Sequence, residues 1–414
     1  MCRRLSIAIL TVVLLGTLLW GCAGTSDIPG TTMPPTSGTS SATSTTTFQP
    51  PPEPTTTTTE LSQAERLLRG MTRAEKAAQI LLIGFGGTTP SPELRAFIAT
   101  HPPGGVLLLE SNVASTAQLR RLTEDLQGMA LKASPAGLLV AVDQEGGTVQ
   151  RIHYQVPDVP SARVLGQTST PAEAAGIAAE TATGLLSVGV NMNLAPVADV
   201  VADKTSFLYR RSFGSDPVAV SGFVTAVLDA YQDAGLISTV KHFPGHGSAR
   251  GNTHSDVVTS DAGLKDFESI HLPPFRAAIS AGVEAVMLAH VVAKAYDPDH
   301  PASSSAIIVE DLLRDNLGFR GLVVTDDIQM EAAGGSSGDP QPGEASDGAA
   351  AYAVSALGAG CDLLISTGSL AQQQAVIDAV VTAVQTGTIE ESRLDEAVLR
   401  ILEVKLRHGI SKPD

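Results

Sequence analysis

The sequence predicts an α/β fold, a (β/α)8 TIM barrel that forms a single domain over residues 61–414. Short, apolar, β-branched runs alternate with amphipathic segments of helical period, which is typical of a parallel sheet covered by helices. Eight such units occur within roughly 350 residues, and this number and length suit a barrel. An open, Rossmann-like sheet is the alternative, but no Gly-rich fingerprint follows the first predicted strand.

The eight predicted strands are AQILLIGF (78–85), GGVLLLE (104–110), GLLVAVDQE (137–145), GVNMNLAPV (189–197), LISTVKHFPG (236–245), EAVMLAHV (284–291), GLVVTDDI (321–328) and CDLLIST (361–367). Helical patterns separate them, for example at 171–189 and 216–235. Polar residues occur where these strands end, namely Asp143, Asp199, Lys241, His242, His290, Asp326 and Asp327. The carboxyl ends of barrel strands meet at one rim, so this pattern predicts an active site there.

The first 60 residues differ in composition from the rest of the chain. Two arginines precede an apolar run that ends at Gly21–Cys22, the layout of a secretory signal that is too short for a stable membrane span. The end of this run resembles a bacterial lipobox, which implies a lipoprotein signal peptide over 1–21 and a lipid on Cys22. A plain secretory signal is the alternative. Residues 22–60 are rich in Thr, Ser and Pro, which predicts a disordered tether.

These segments predict a location at the extracytoplasmic face of the cell membrane, with the membrane contacted through the lipid on Cys22. The formal net charge of -16 and the lack of a basic stripe argue against a nucleic-acid partner. Three cysteines cannot build a disulfide framework. The histidines lack the spacing of a metal motif, so neither a metal nor a cofactor is expected.

Five motifs occur in a fixed order: VDQEGGTVQR, NLAPVADV, RRSFGSDP, KHFPGHG and VVTDDIQM. Together they resemble glycoside hydrolase family 3, and more narrowly its β-N-acetylglucosaminidase branch, which includes lipoproteins of bacterial cell envelopes. The resemblance covers about 61–410. It implies retaining hydrolysis of terminal, β-linked N-acetylglucosamine from peptidoglycan fragments or related glycans. Such a reaction uses a nucleophile on one face of the sugar and an acid/base on the other.

The resemblance assigns two catalytic roles. Asp326, the first Asp after the Thr of VVTDDIQM, matches the nucleophile; a helix N-cap is the alternative role, and it suits Asp327 at least as well. His254, on the loop after the fifth strand, matches the acid/base. In the family an Asp two residues earlier forms a dyad with this histidine, whereas Asn252 stands there in this chain. Asn252 carries no charge, so His254 should be a weaker base unless Asp256 substitutes.

The resemblance also implies a set of substrate-binding residues, which are Asp143, Arg151, Arg211, Lys241 and His242. A structural ion pair at the barrel rim is the alternative for each. An unpaired buried lysine is costly, which favours a functional role for Lys241. His246, inside PGHG, either braces its loop or takes part in the site. The one Trp, Trp20, lies in the predicted signal peptide, so the mature domain has no Trp on which the sugars of a long glycan could stack, and this favours exo-action.

Two other functions remain open. The first is a β-N-acetylglucosaminide phosphorylase, because a histidine acid/base repels phosphate less than a carboxylate does and phosphate could then replace water. The second is a catalytically weakened, sugar-binding lipoprotein, which Asn252 makes plausible. Each of the three functions implies a carbohydrate partner that contains N-acetylglucosamine.

Overall fold

The computed structural model describes residues 61–249, 251, 253, 258–330 and 347–412. The predicted signal peptide (1–21), the predicted tether (22–60) and Cys22 lie outside the described residues. The same holds for Asn252, His254 and Asp256 on the loop after the fifth strand. The assignments made for these residues therefore stay predictions.

Eight parallel strands close into a barrel in which each strand pairs with its neighbours along the chain, and the last pairs with the first. The predicted (β/α)8 fold is therefore confirmed, and every strand lies inside one of the eight apolar runs. The strands are β1 (Leu81–Gly84), β2 (Gly105–Leu108), β3 (Leu139–Val142), β4 (Met192–Asn193), β5 (Ile237–Phe243), β6 (Ala285–Leu288), β7 (Leu322–Asp327) and β8 (Leu363–Ser366).

Two short ribbons extend the chain beyond the carboxyl ends of the barrel strands. Gln144–Gly146 follows β3 and pairs in antiparallel fashion with Val149–Gln150. Val258–Ser260 pairs in parallel with Val291–Ala293, which follows β6. Both ribbons add backbone at the rim where the polar residues of the sequence occur.

Helices surround the barrel. The α-helices are Gln63–Arg69, Arg73–Gln79, Pro92–Thr100, Thr116–Ala133, Ala162–Thr168, Pro171–Ser187, Pro217–Ala234, Leu264–Asp266, Pro273–Ser280, Asp347–Gly358, Leu370–Thr386 and Glu391–Arg407. Phe267–His271 and Ile307–Asn316 are π-helical, and short 3-10 turns occur at Glu110–Asn112, His246–Ser248 and Ala302–Ser304. None of the helices in the described ranges is long and apolar enough to span a membrane.

Local sequence signals mark where helices begin and end. Pro171–Ser187 begins with a capping box, in which the Thr170 hydroxyl accepts from the Glu173 N–H and the Glu173 carboxylate accepts from the Thr170 N–H. Pro217–Ala234 ends at Gly235, whose φ of 82° lies in the left-handed region that glycine adopts without a steric penalty. These two helices pack on each other, and Pro217–Ala234 also packs on β5.

The core consists of the barrel strands and the inner faces of the helices. All seven residues of β5 are buried, and the same holds for every residue of β1, β2, β3 and β8. Strands of a parallel barrel are covered on both faces, which explains why they are continuous apolar runs in the sequence. Charged side chains are therefore expected only where strands begin or end.

One buried carboxylate at the amino-terminal end of the barrel joins two strands and two helices. Asp362, fully buried just before β8, accepts hydrogen bonds from Arg314 (2.6 Å), Arg393 (2.7 Å) and Arg400 (2.8 Å). It also accepts from the backbone N–H of Val323 at 3.0 Å. Every oxygen of this carboxylate is occupied, which suits a structural role at the end of a barrel opposite the one that carries chemistry.

Candidate active site

A pocket opens at the carboxyl ends of the strands and encloses about 930 Å³ of empty space, its open mouth included. Its floor is apolar and includes Leu107, Leu194, Met287 and Ile365. All six predicted site residues that lie in the described ranges line it, namely Asp143, Arg151, Arg211, Lys241, His242 and Asp326. The fold therefore brings together side chains that are up to 183 positions apart in the sequence (326 − 143).

Lys241 and His242 are consecutive residues, and both line the pocket. In a regular strand they would point to opposite faces. The pairing between β5 and β6 shifts here, since Val240 pairs with Val286 and Phe243 pairs with Leu288, so three steps on β5 match two on β6. Such a bulge changes the direction of side chains at a strand end. It explains how two neighbouring residues reach one site.

A second bulge lies in β7. Val324 pairs with Leu363 and Asp327 pairs with Ile365, so β7 again holds one extra residue against its neighbour β8. The Thr325 hydroxyl accepts a hydrogen bond from the Ile365 N–H at 3.2 Å, which a backbone carbonyl would accept in a regular ladder. The bulge therefore contains Asp326. The Ile365 N–H, which the bulge leaves without a backbone acceptor, is satisfied by the Thr325 side chain.

The two aspartates that follow Thr325 have different surroundings. The Asp327 carboxylate accepts from the Thr367 hydroxyl, from the Thr367 N–H at 3.1 Å and from the Gln329 N–H at 3.1 Å. The bond to Gln329 closes a turn at the strand end. The helix N-cap role considered for Asp327 stays a prediction, because residues 331–346 lie outside the described residues. The Asp326 carboxylate accepts from the Asp327 N–H at 2.9 Å and otherwise faces the pocket.

The electrostatic surroundings separate the same two residues. Burial alone would raise the pKa of Asp326, but polar and charged neighbours, among them the Asp327 N–H and the Lys241 ammonium, outweigh it and lower that pKa to about 2. Burial raises the pKa of Asp327 above its usual value, although the Thr367 hydroxyl partly opposes this. Asp326 is therefore an ionised carboxylate with free lone pairs in the pocket, while Asp327 is occupied by the neighbouring strand.

A cluster of two cations and two carboxylates forms one wall of the pocket. The Lys241 Nζ lies 2.6 Å from the Asp143 Oδ1 and 2.7 Å from the Glu145 Oε1. Arg211 donates twice to Glu145, from Nε at 2.8 Å and from Nη2 at 2.7 Å. The ion-pair role considered for Lys241, Arg211 and Asp143 is thus present, and the same residues also line the pocket.

The cluster keeps its members charged although they are buried. Burial alone would raise the pKa of Glu145, but Arg211 and Lys241 hold it far below its usual value. Burial alone would lower the pKa of Lys241, but Asp143 and Glu145 raise it above its usual value. Asp143 is the most exposed of the four, with 22% of its side chain accessible. Its second oxygen is therefore available to a ligand.

His242 is oriented by the fully buried Asp199. The Asp199 Oδ2 lies 2.7 Å from the His242 Nδ1 and also accepts from the His242 backbone N–H at 3.1 Å. Because an ionised carboxylate only accepts, the imidazole proton lies on Nδ1 and Nε2 is left for the pocket side. There it lies 3.4 Å from the Arg211 Nη2. Burial alone would raise the pKa of Asp199, but its bond to His242 lowers it.

His246 is buried and lies between the pocket and the loop that follows β5. Its Nε2 lies 3.3 Å from the hydroxyl of Thr253, and its ring packs edge-on against Phe207 and His242. Burial lowers the pKa of His246 to about 4, so the ring is neutral at neutral pH. Thr253 stands between Asn252 and His254 in the sequence, which favours the bracing role considered for His246.

Arg151 lines the pocket from the ribbon that follows β3. Its backbone N–H donates to the Gln144 Oε1 at 3.0 Å, and the Ile152 N–H donates to the same oxygen at 3.0 Å. The buried Gln144 amide also donates to the Ile152 carbonyl at 2.8 Å. This exchange of bonds holds the segment that carries Arg151 against the rim.

Two carboxylates at the centre of the site had no role assigned to them from the sequence. Glu145 compensates two cations, and Asp199 orients His242. Both lie inside motifs that carried the family resemblance, VDQEGGTVQR and NLAPVADV, and Asp199 was noted among the strand ends. Buried cations such as Lys241 and Arg211 require buried counter-charges. The acidic residues of these motifs could therefore have been predicted as their partners.

The pocket combines an ionised carboxylate, Asp326, with a set of charged and polar groups that suit the hydroxyls of a sugar. Within the described ranges, no group of three or more His, Cys, Asp or Glu side chains is placed to hold a metal ion. Substitution at the anomeric carbon of a sugar needs an attacking carboxylate and groups that hold the ring. The fold and the site therefore define the chain as an O-glycosyl hydrolase.

Comparison with known proteins gives the family. Residues 72–404 match the model described as "Glycosyl hydrolase family 3 N terminal domain", and the chain belongs to glycoside hydrolase family 3. A protein named "Beta-hexosaminidase" from Xylella fastidiosa is 39% identical over 265 residues, which cover 63% of this chain and 77% of that relative.

Two solved structures of similar proteins extend the comparison. One is a glycoside hydrolase family 3 β-N-acetylglucosaminidase from Paenibacillus sp., with a TM-score of 0.77, 35% identity and coverage of 82% of this chain. This chain spans only 63% of that longer protein. The other is a β-N-acetylhexosaminidase from Beutenbergia cavernae, with a TM-score of 0.72, 30% identity and coverage of 81% of this chain and 98% of that one.

Removing the charge of Glu145 should destabilise the protein strongly. Glu145→Gln leaves Lys241 and Arg211 with only Asp143 as a carboxylate partner, and breaking a buried ion pair in this way costs about 3 kcal/mol. Glu268→Gln is the matched control, because Glu268 pairs with Arg276 at the surface and such pairs contribute less than about 1 kcal/mol. Denaturant unfolding of both variants measures the difference. Equal losses in the two variants would contradict the role of Glu145.

Proposed function

We propose that the chain is an exo-acting, retaining β-N-acetylglucosaminidase, which releases terminal N-acetylglucosamine from peptidoglycan fragments or related glycans. The observation that carries the proposal is the pair of aspartates at the end of β7. The Asp326 carboxylate faces the pocket with free lone pairs, while Asp327 is bound by Thr367 and Gln329. The substrate is inferred from the names of the relatives in Xylella, Paenibacillus and Beutenbergia.

In the first step of the proposed mechanism, an oxygen of Asp326 attacks the anomeric carbon and the bond to the leaving oxygen breaks. The leaving oxygen takes a proton from His254, and a glycosyl ester on Asp326 results. In the second step, His254 takes a proton from water, the water oxygen bonds to the anomeric carbon and the ester bond breaks. Because the pKa of Asp326 is about 2, its carboxylate is ionised throughout the neutral range.

The wall of the pocket formed by the charged cluster supplies donors and acceptors for the hydroxyls of one sugar. Lys241 and Arg211 offer N–H donors, the free oxygen of Asp143 accepts, and the His242 Nε2 accepts because Asp199 holds the proton on Nδ1. The groups are held by each other before a ligand enters, which lowers the entropy lost on binding. A hydroxyl-binding wall over an apolar floor supports recognition of a single terminal residue.

Loss of the nucleophile should abolish turnover without unfolding the protein. Asp326→Asn keeps the volume of the side chain but cannot form the glycosyl ester, so hydrolysis of a chromogenic β-N-acetylglucosaminide should fall by roughly 10⁴-fold or more. A mechanism-based fluorosugar should label Asp326 in the native protein, and fragment-ion sequencing distinguishes it from its neighbour. A label on Asp327 would overturn the assignment.

His254 is proposed as the acid/base, and Asn252 should limit it. A carboxylate at position 252 would stabilise the imidazolium that protonates the leaving oxygen. Asn252→Asp should therefore accelerate cleavage of a natural disaccharide by about tenfold, part of the roughly 10²–10⁴-fold that acid catalysis contributes. An activated aryl glycoside needs little protonation and should change much less. The limb of the pH profile that reports His254 should move to higher pH.

Asp256→Ala is the companion to this experiment. If Asp256 already supports His254, this variant loses activity on the disaccharide and Asn252→Asp is nearly silent. A ratio of disaccharide to aryl activity that stays constant in both variants would mean that neither residue tunes His254.

Product analysis of the native protein with and without phosphate separates hydrolysis from phosphorolysis, and binding without turnover would indicate a sugar-binding protein.

We further propose that the chain is anchored at the extracytoplasmic face of the cell membrane. The support is in the sequence, where a short apolar run ends at Gly21–Cys22 and a Thr-, Ser- and Pro-rich segment follows. Cleavage before Cys22 and lipid on its sulfur should direct the native protein into the detergent phase, and Cys22→Ser should release it. Mass spectrometry of the mature N-terminus checks this. A terminus at another residue, without lipid mass, would contradict the anchor.

A further inference from the structure

We infer that His290 is a positioning residue for Asp326, because it holds the end of the β7 bulge from the side of β6. The inference rests on the proposed role of Asp326 as nucleophile. His290 is fully buried and follows β6 by two positions, and its Nε2 lies 3.1 Å from the carbonyl oxygen of Asp327. It takes part in none of the bond-making steps of the mechanism above, and its bond to the Asp327 carbonyl links it to the nucleophile through the backbone of β7.

Several hydrogen bonds meet at Asp327, and they come from different parts of the barrel. Its side chain is bound by Thr367 at the end of β8. Its carbonyl accepts from the Met330 N–H at 3.0 Å, which is a local turn and moves with the segment. The bond from His290 is the one of these that ties the segment to β6, where regular pairing with β7 stops at Leu288.

The bonds that fix the position of Asp327 also affect the nucleophile, Asp326. The Asp327 N–H donates to the Asp326 Oδ1 at 2.9 Å, so the position of residue 327 sets the orientation of the Asp326 carboxylate. A bulge has fewer ladder bonds than a regular strand, and its extra residue is correspondingly easier to displace. His290 on one side and Thr367 on the other therefore fix the residue that orients Asp326.

A chain of hydroxyls fixes which imidazole nitrogen of His290 carries the proton. The Asp327 carbonyl can only accept, so Nε2 donates. The His290 Nδ1 lies 2.6 Å from the Ser303 hydroxyl and 3.2 Å from the Tyr352 hydroxyl, and these two hydroxyls lie 2.7 Å apart. All four groups are satisfied when Tyr352 donates to Ser303, Ser303 donates to Nδ1 and Nε2–H donates to Asp327. The Tyr352 ring also packs edge-on against the imidazole, 5.3 Å away.

A pair of amide variants separates the bond to Asp327 from the rest of the imidazole. Glutamine is long enough to place an N–H donor where the His290 Nε2 lies, whereas asparagine reaches only the region of Nδ1. His290→Gln therefore keeps the donor to Asp327, and His290→Asn loses it. Both variants truncate the same buried ring, so they should lose similar stability against denaturant.

Their catalytic effects should differ. In His290→Asn, kcat on an activated aryl β-N-acetylglucosaminide and the rate of fluorosugar labelling should fall by about 100-fold, the effect of a displacement of about 1 Å at a reacting group. In His290→Gln the loss should stay within about tenfold. KM should change little in either variant, because the hydroxyl-binding wall is on other strands. Equal losses in the two variants overturn the inference.

A second measurement does not depend on activity. The ¹⁵N resonances of the His290 imidazole in the native protein should show a protonated Nε2 and a bare Nδ1. Ser303→Ala should move the Nδ1 resonance more than Tyr352→Phe does, because the Ser303 hydroxyl is the nearer donor, at 2.6 Å against 3.2 Å for the Tyr352 hydroxyl. A proton on Nδ1 in the native protein contradicts the hydrogen-bond chain. Native protein that neither turns over an N-acetylglucosaminide nor takes the fluorosugar label contradicts the proposed function itself, which distinguishes the two failures.

Discussion

The arrangement of side chains at the carboxyl ends of the barrel strands depends on the ammonium group of Lys241. It is a buried charge at the end of a fully buried strand, and such a charge is stable only if compensating groups surround it. Lys241 forms ion pairs with Asp143, which directly follows β3, and with Glu145, which lies in the ribbon beyond it. Glu145 also forms an ion pair with Arg211. The rim is therefore assembled by electrostatic compensation between strands that are distant in the sequence.

The two ends of the barrel use buried carboxylates in opposite ways. At the amino-terminal end, Asp362 is surrounded by three arginines and a backbone N–H, and none of its oxygens is left for a ligand. At the carboxyl end, the Asp326 carboxylate faces the pocket and accepts a hydrogen bond from the backbone N–H of the next residue, Asp327. The same residue type is structural where its lone pairs are used and reactive where they are left free.

The strands could be predicted from the sequence because each is an apolar run of the right length between turn residues. The prediction was too long for β4, where the sheet keeps only Met192–Asn193 of the run 189–197. Pro196 lies in that run and has no N–H for a ladder bond, which explains why regular pairing ends before it. Motif positions also located Asp143, Arg151 and Arg211 at the pocket.

The bulges could not be predicted, because a shift of register depends on the neighbouring strand and leaves no local pattern. The roles of Asp326 and Asp327 could therefore be assigned from the sequence only through the family resemblance, whereas their different hydrogen bonds follow from the assembled strands. The same limit applies to Glu145 and Asp199, whose roles depend on partners in other strands. His290 was visible as a polar residue at a strand end, but its bond to β7 follows only from the assembled barrel.

The carboxylate of Asp199 joins two backbone positions that flank the Gly- and Pro-rich turn after β5. The His242 N–H donates to its Oδ2 and the Gly247 N–H to its Oδ1, so the two amides depend on one buried carboxylate. Neither amide hydrogen can exchange with solvent unless its hydrogen bond to Asp199 breaks. Displacement of this carboxylate breaks both hydrogen bonds together. The turn should therefore open as a single cooperative unit, with matched protection of its first and last amides.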